Sequence, residues 1–144
     1  MKEIEFEILG KPIHKKRPRF KKWGPKKAYN PQKPEEARWV LEVRTQITPE
    51  IQRWLPLTGP IFLKLTFLMP LSKEFSIAEL KGLPTFALPY MHTPDLDNLI
   101  KFVKDCCNVW LWKDDRQVYH VDALKIYGKE PMTLVHVIEM GAGR

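Results

Sequence analysis

Two short acidic stretches, Pro94-Asp95-Leu96-Asp97-Asn98 and Lys113-Asp114-Asp115-Arg116, sit in a chain whose 24 lysines and arginines outnumber its 17 aspartates and glutamates, for a formal net charge of +7. Carboxylates gathered in a basic protein suit a divalent cation held against a polyanion, because the lysines bind phosphate while the carboxylate oxygens bind metal. The chemistry such a set performs is hydrolysis of a nucleic-acid phosphodiester. Three carboxylates, with water and phosphate completing an octahedron at ~2.1 Å, fit Mg²⁺, with Mn²⁺ as a substitute. No histidine-rich arrangement competes for zinc, and the adjacent Cys106 and Cys107 form neither a CxxC pair nor an ordinary disulfide.

These residues need elements to hold them. Asp95 and Asp97 diverge by about 160° in a continuous helix but share a face of an extended segment. Pro94 favours extended backbone before it, and Asp97 can cap a helix starting at Asn98, which sets both carboxylates at a helix mouth. Leu96, Leu99, Ile100, Val103 and Cys107 recur at helical intervals and predict that helix. Lys101, one turn after Asp97, puts an ammonium within reach of a phosphate held by the metal. Asp114 and Asp115 follow the helix, and since consecutive side chains point apart, one of the two is expected to reach the metal. An ordinary account of the same residues is also open: Asp97 as a cap, Asp114 and Asp115 as turn residues, Lys101 as a solvated charge, in a non-catalytic DNA- or RNA-binding module.

The remaining chain supplies one domain's worth of material, 144 residues with 44% hydrophobic. Alternation over residues 3 to 9 predicts a strand. From Lys11 to Lys27 there is no acidic residue, and three prolines and a glycine predict an irregular basic loop (about 11–29) kept extended by charge repulsion until an anion binds. Lys15, Lys16, Arg17, Arg19, Lys21 and Lys22 are its candidate DNA-backbone contacts. Phe20, Trp23 and Tyr29 interleave with these cations, and the sequence leaves open whether they stack on bases or pack back on the domain. A helix follows Pro34, over Glu35 to Ile47, then a strand over Ile61 to Met69. Residues 70–93 read as a flap containing a short helix at Ser72–Leu80. Val118–Tyr127 and Met132–Met140 read as a hairpin. The fold class is α+β: a small single domain, its sheet mixed or antiparallel, with two main helices packed on it. No signal peptide or membrane span is evident, so a soluble cytoplasmic protein with packed, reduced thiols is expected.

Several of these motifs together resemble the RusA family of Holliday junction resolvases, the crossover junction endodeoxyribonucleases of bacteria and their phages. Asp95-Leu96-Asp97-Asn98-Leu99-Ile100-Lys101 resembles the family's Asp-x-Asp-Asn-x-x-Lys motif, and Trp112-Lys113-Asp114-Asp115-Arg116-Gln117-Val118 its second acidic motif. Gly10-Lys11-Pro12 and Lys16-Arg17-Pro18-Arg19 resemble its opening strand and basic loop, and Asp105 falls where the family is commonly acidic. The resemblance implies Asp95, Asp97 and Asp115 as metal-binding catalytic residues, Asp114 as the alternate of its pair, and Lys101 as their cationic partner. It further implies a homodimer that nicks two opposed strands of a four-way DNA junction, leaving 5′-phosphate and 3′-hydroxyl ends. The aromatic basic loop, Trp23 above all, departs from the family pattern.

Overall fold

The computed structural model describes residues 1–20, 23–24, 28–71, 82 and 88–141, with Arg19 as backbone only. Lys21, Lys22, the helix expected at Ser72–Leu80 and most of the flap expected at 70–93 lie outside the described residues. In chain order the elements are β1 (Lys2–Leu9), β2 (Arg19–Phe20), β3 (Ala28–Tyr29), α1 (Lys33–Gln46), the single turn α2 (Pro49–Gln52), β4 (Ile61–Met69), α3 (Leu96–Cys107), a 3₁₀ turn at Asp115–Gln117, β5 (Val118–Tyr127) and β6 (Met132–Glu139). The result is a small α+β domain with a mixed sheet, as expected.

Strand alternation fixes which face the helices cover. Ile4, Phe6 and Ile8 of β1, Leu63, Leu65 and Phe67 of β4, and Val135 and Val137 of β6 are all buried on one side, and a one-residue slip would turn every one of them to water. α1 and α3 lie against that side: Trp39 meets Phe6 edge-on at 5.8 Å and Phe102 at 6.1 Å, tying β1, α1 and α3 into one core. Both cysteines are free and buried at the C-terminal end of α3. Burial is the main cause that pushes both thiols well above their ordinary pKa, so they stay protonated and inert.

One expectation fails. β5 and β6 are not a hairpin, because the sheet order is β1-β6-β4-β5. β5 runs parallel to β4, joined to it through α3, while β6 lies antiparallel between β1 and β4. The cause is burial: β4 hides five of its nine side chains and belongs in the interior of the sheet, whereas β5, with none fully buried, suits an edge. The four residues from Gly128 to Pro131 therefore carry the chain over the end of β4. Gly128 donates its N–H to the Met69 carbonyl, and a Cβ there would stand 2.8 Å from the Leu68 Cβ. Gly128→Ala is expected to cost about 1–3 kcal/mol by forcing this crossing apart, read as a lower urea midpoint; an unchanged midpoint would show that the crossing has slack.

Candidate active site

α3 begins two residues earlier than the sequence suggests. Asp95 is its N-cap residue, in extended backbone and without a capping side-chain bond, and Asp97 falls in the first turn. Helical rotation therefore separates the two carboxylates, which would have shared a face only in extended chain. Asp97, Lys101 and Asp105 stand four residues apart, in a line along the face opposite buried Leu99, Phe102, Val103 and Cys106. With Ile100, Lys104 and Asp115 they line a hollow of about 300 Å³. Asp95 instead borders a neighbouring hollow of about 540 Å³ with Lys11, His14 and Lys16. Larger space exists elsewhere, about 910 Å³ beside Arg116 and Tyr119.

Asp115 reaches the hollow because its loop is clamped. Lys113 and Leu111 bond to the backbone of Leu57 on either side of Trp112, and the Gln117 amide donates to the Leu57 and Gly59 carbonyls, each at 2.9 Å. Trp112, fully buried, gives its indole N–H to Asp115 Oδ1 at 2.8 Å. Asp114 is turned to a different task. It caps the 3₁₀ turn and accepts from Arg116, whose side-chain hydrogen bond, reinforced by its backbone N–H, holds the Asp114 carboxyl below its usual range.

The turn preceding Asp95 is also held from within. Lys125 points from β5 under that turn, donates to the carbonyls of His92 and Pro94 at 2.7 Å each, and lies 5.4 Å from the Tyr90 ring centroid. His92 itself is exposed against Tyr90.

The described start of the basic loop is anchored rather than loosely extended. Gln32, fully buried, donates to the His14 carbonyl and accepts from the Lys16 N–H, both at 2.7 Å, while the Lys15 N–H bonds to the Asn98 carbonyl in the first turns of α3. The Lys15 ammonium does not face solvent. It bridges Glu36 of α1 at 2.9 Å and Asp105 of α3 at 3.0 Å, so Asp105 pairs with Lys15 instead of orienting Lys101 as its helix spacing suggests. Lys16 and Arg17 are exposed, Lys16 within 3.7 Å of Glu35.

Among the described residues, the histidine–carboxylate trio whose ligand atoms lie within 4.8 Å of one another is Glu3, Glu5 and His136, on the sheet face away from the helices. Asp95, Asp97 and Asp115 are not drawn that close. Their donors are nonetheless all oxygen, which suits a hard cation such as Mg²⁺. Sequence reasoning missed Gln32 and Lys125. A glutamine ahead of a helix carries no signal, but Lys125 occupies an inward position in the alternation of β5, and a lysine there could have been noticed.

An acidic hollow built on the first turns of α3, with an anchored basic loop beside it, is an arrangement able to hold a cation against an anionic ligand. The family model for endodeoxyribonuclease RusA matches residues 10–138, and the chain belongs to that family. It is also 31% identical over 147 residues to the uncharacterized protein YqaN of Bacillus subtilis (strain 168), covering 96% of this chain and 98% of the relative. Among the described residues no helix is long and apolar enough to cross a membrane.

The Lys15 bridge has a measurable signature. Burial alone would lower the Lys15 pKa, but the hydrogen bonds to Glu36 and Asp105 outweigh it and leave the pKa above the ordinary 10.5. The bridge therefore stabilises fully below the unfolded value and is lost as pH rises through the raised one. Lys15→Met, which removes the cation shared by Glu36 and Asp105 and leaves Glu36 only its bond from Asn30, is expected to cost about 2 kcal/mol near neutral pH, discounted from a fully buried pair for partial exposure. In urea titrations the gap between parent and variant should hold constant up to about pH 10 and close above it. A gap that persists at higher pH would assign the loss to packing of the side chain.

Proposed function

We propose that this protein is a magnesium-dependent, structure-selective endodeoxyribonuclease that acts as a homodimer on branched DNA, nicking opposed strands of a four-way junction to leave 5′-phosphate and 3′-hydroxyl ends. The observation that carries this reading is the hollow shared by Asp97, Lys101 and Asp115 in a chain of the RusA family. Asp97 and Asp115 would hold the cation, with Asp95 adding a carboxylate from the adjoining hollow and Asp114 kept to its capping role. When bound, Mg²⁺, or Mn²⁺ in its place, supplies charge that polarises a phosphoryl oxygen and acidifies an attacking water. Lys101, one turn from Asp97, sets a cation against the charge that develops on the phosphate or the departing oxygen.

The residues around this set orient it. Trp112 directs the Asp115 carboxylate, and Lys125 fixes the turn that carries Asp95. On the loop, Lys16 and Arg17, with Arg19, Lys21 and Lys22 further along, would neutralise backbone phosphates, while Lys15 anchors the loop to the two helices. Binding through such contacts weakens with salt. A two-fold dimer matches paired incision because each subunit then addresses one strand.

Cleavage of four-way, flap and duplex DNA with strand-resolved products tests the proposal. Asp97→Asn should bind junctions as the parent does and cut them at least about 100-fold more slowly. Junction binding without cutting by the unmodified protein, across Mg²⁺ and Mn²⁺ concentrations, would favour a non-catalytic DNA-binding module. Trp112→Phe removes the donor to Asp115 and keeps an aromatic in its place, so cutting should fall about tenfold and require more metal for half its maximal rate. Unchanged metal dependence in that variant would assign Trp112 to packing alone.

A further inference from the structure

The anchored loop continues into an arm that the metal site does not use. After Lys16 the chain runs out through β2, turns, and comes back through β3 to Asn30, which accepts from the Gln32 N–H and donates to Glu36. Gln32 thus closes the arm at its base, gripping the outgoing stem at His14 and Lys16 and the returning stem through Asn30. That base adjoins the hollow of Asp95. The sequence left open whether the arm's aromatics pack on the domain, and the structure answers for the three of them: Phe20 is 67% exposed, Trp23 85% and Tyr29 43%. In the β2–β3 ribbon Phe20 stands opposite Ala28 and Tyr29 opposite Arg19. Residues paired directly across a ribbon share a face and neighbours along a strand alternate, so Phe20 and Tyr29 lie on opposite faces, with Trp23 in the turn that joins the strands.

We propose that this arm stacks its aromatic rings on nucleobases laid open at a DNA branch point, and so distinguishes branched from continuous duplex DNA. The partner follows from charge and shape together. The run from Lys11 to Lys27 contains cations and no acid, which selects a polyanion over an apolar protein surface. Large rings interleaved with those cations match a ligand that alternates phosphate with a flat π face. Continuous duplex offers the phosphates alone, because its base faces are covered by stacking. A branch exposes base-pair ends toward more than one direction, which a ribbon with a ring on each face and a third at its turn can meet. The inference rests on the branched-DNA reading above but requires no cleavage.

The test is binding in EDTA, which prevents cutting, to a four-way junction with 2-aminopurine beside the branch and to a duplex of the same length. Trp23→Ala is expected to lose about tenfold in junction affinity while keeping duplex affinity within about twofold and leaving the slope of log affinity against log salt unchanged, since a ring releases no counterions. The 2-aminopurine signal change on binding should shrink with it, and Phe20→Ala and Tyr29→Ala should each show a smaller loss of the same kind. Circular dichroism checks that these surface variants stay folded. Junction affinity equal to the parent in all three, or equal loss on junction and duplex, overturns the proposal, as does failure of the parent to prefer the junction. A parent that prefers junctions through Trp23 yet cuts nothing with Mg²⁺ or Mn²⁺ would sustain the stacking arm and remove the nuclease reading. A parent that cuts junctions while Trp23→Ala binds them normally does the reverse.

Discussion

The geometry of the candidate site depends on one helix serving two purposes. α3 seals Leu99, Phe102, Val103, Cys106 and Cys107 into the core and presents Asp97, Lys101 and Asp105 on the side turned away. A helix fixed by so many buried contacts cannot rotate, so the line of Asp97, Lys101 and Asp105 is held by packing energy drawn from the opposite face, roughly 1.5–3 kcal/mol for each large apolar side chain. Rigid placement of this kind is what positioning a reacting phosphate requires.

Everything else in the site is brought to that helix by polar contacts made from a distance. Trp112 and Gln117 deliver Asp115, Lys125 delivers the turn before Asp95, and Lys15 with Gln32 delivers the basic loop. Each of these contacts joins segments far apart in the chain, apart from the Trp112–Asp115 bond, which is local. Loss of a contact made by Gln117, Lys125, Lys15 or Gln32 would leave the apolar core standing and the site misaligned, because those residues are not part of it, whereas Trp112 belongs to both.

How far the sequence could be read follows from this division. Periodicity exposed β1, β4, α1 and α3 nearly to their ends, since apolar spacing is a local property. Adjacency in the chain suggested that β5 pairs with β6, and it misled, because strand order is decided by which strand is the most apolar on both sides, and that is β4. That Asp97, Lys101 and Asp115 come together was legible by residue type and spacing, whereas the departure of Asp95 into the adjoining hollow was not. The partners of Lys15 and Lys125 were not, because a lysine bridging Glu36 to Asp105, or donating to two carbonyls, has the same composition as a solvated one. The start of α3 was misplaced by two residues because Asp95 and Asp97 are equally good N-cap types, and only the fold selects between them.

The far side of the sheet adds a property of the whole molecule. Glu3, Glu5 and Glu7 project there from β1, with Asp122 of β5 on the same surface, opposite the helices and the cationic arm. Lys64 of β4 stands among them, so on that face four carboxylates face one lysine, while the described start of the basic loop is anchored to the helices on the other side. For the nucleic-acid partner proposed above, approach from the sheet's far side would meet these carboxylates first and approach from the loop side would meet the exposed Lys16 and Arg17, so the placement of charge would favour one orientation of encounter.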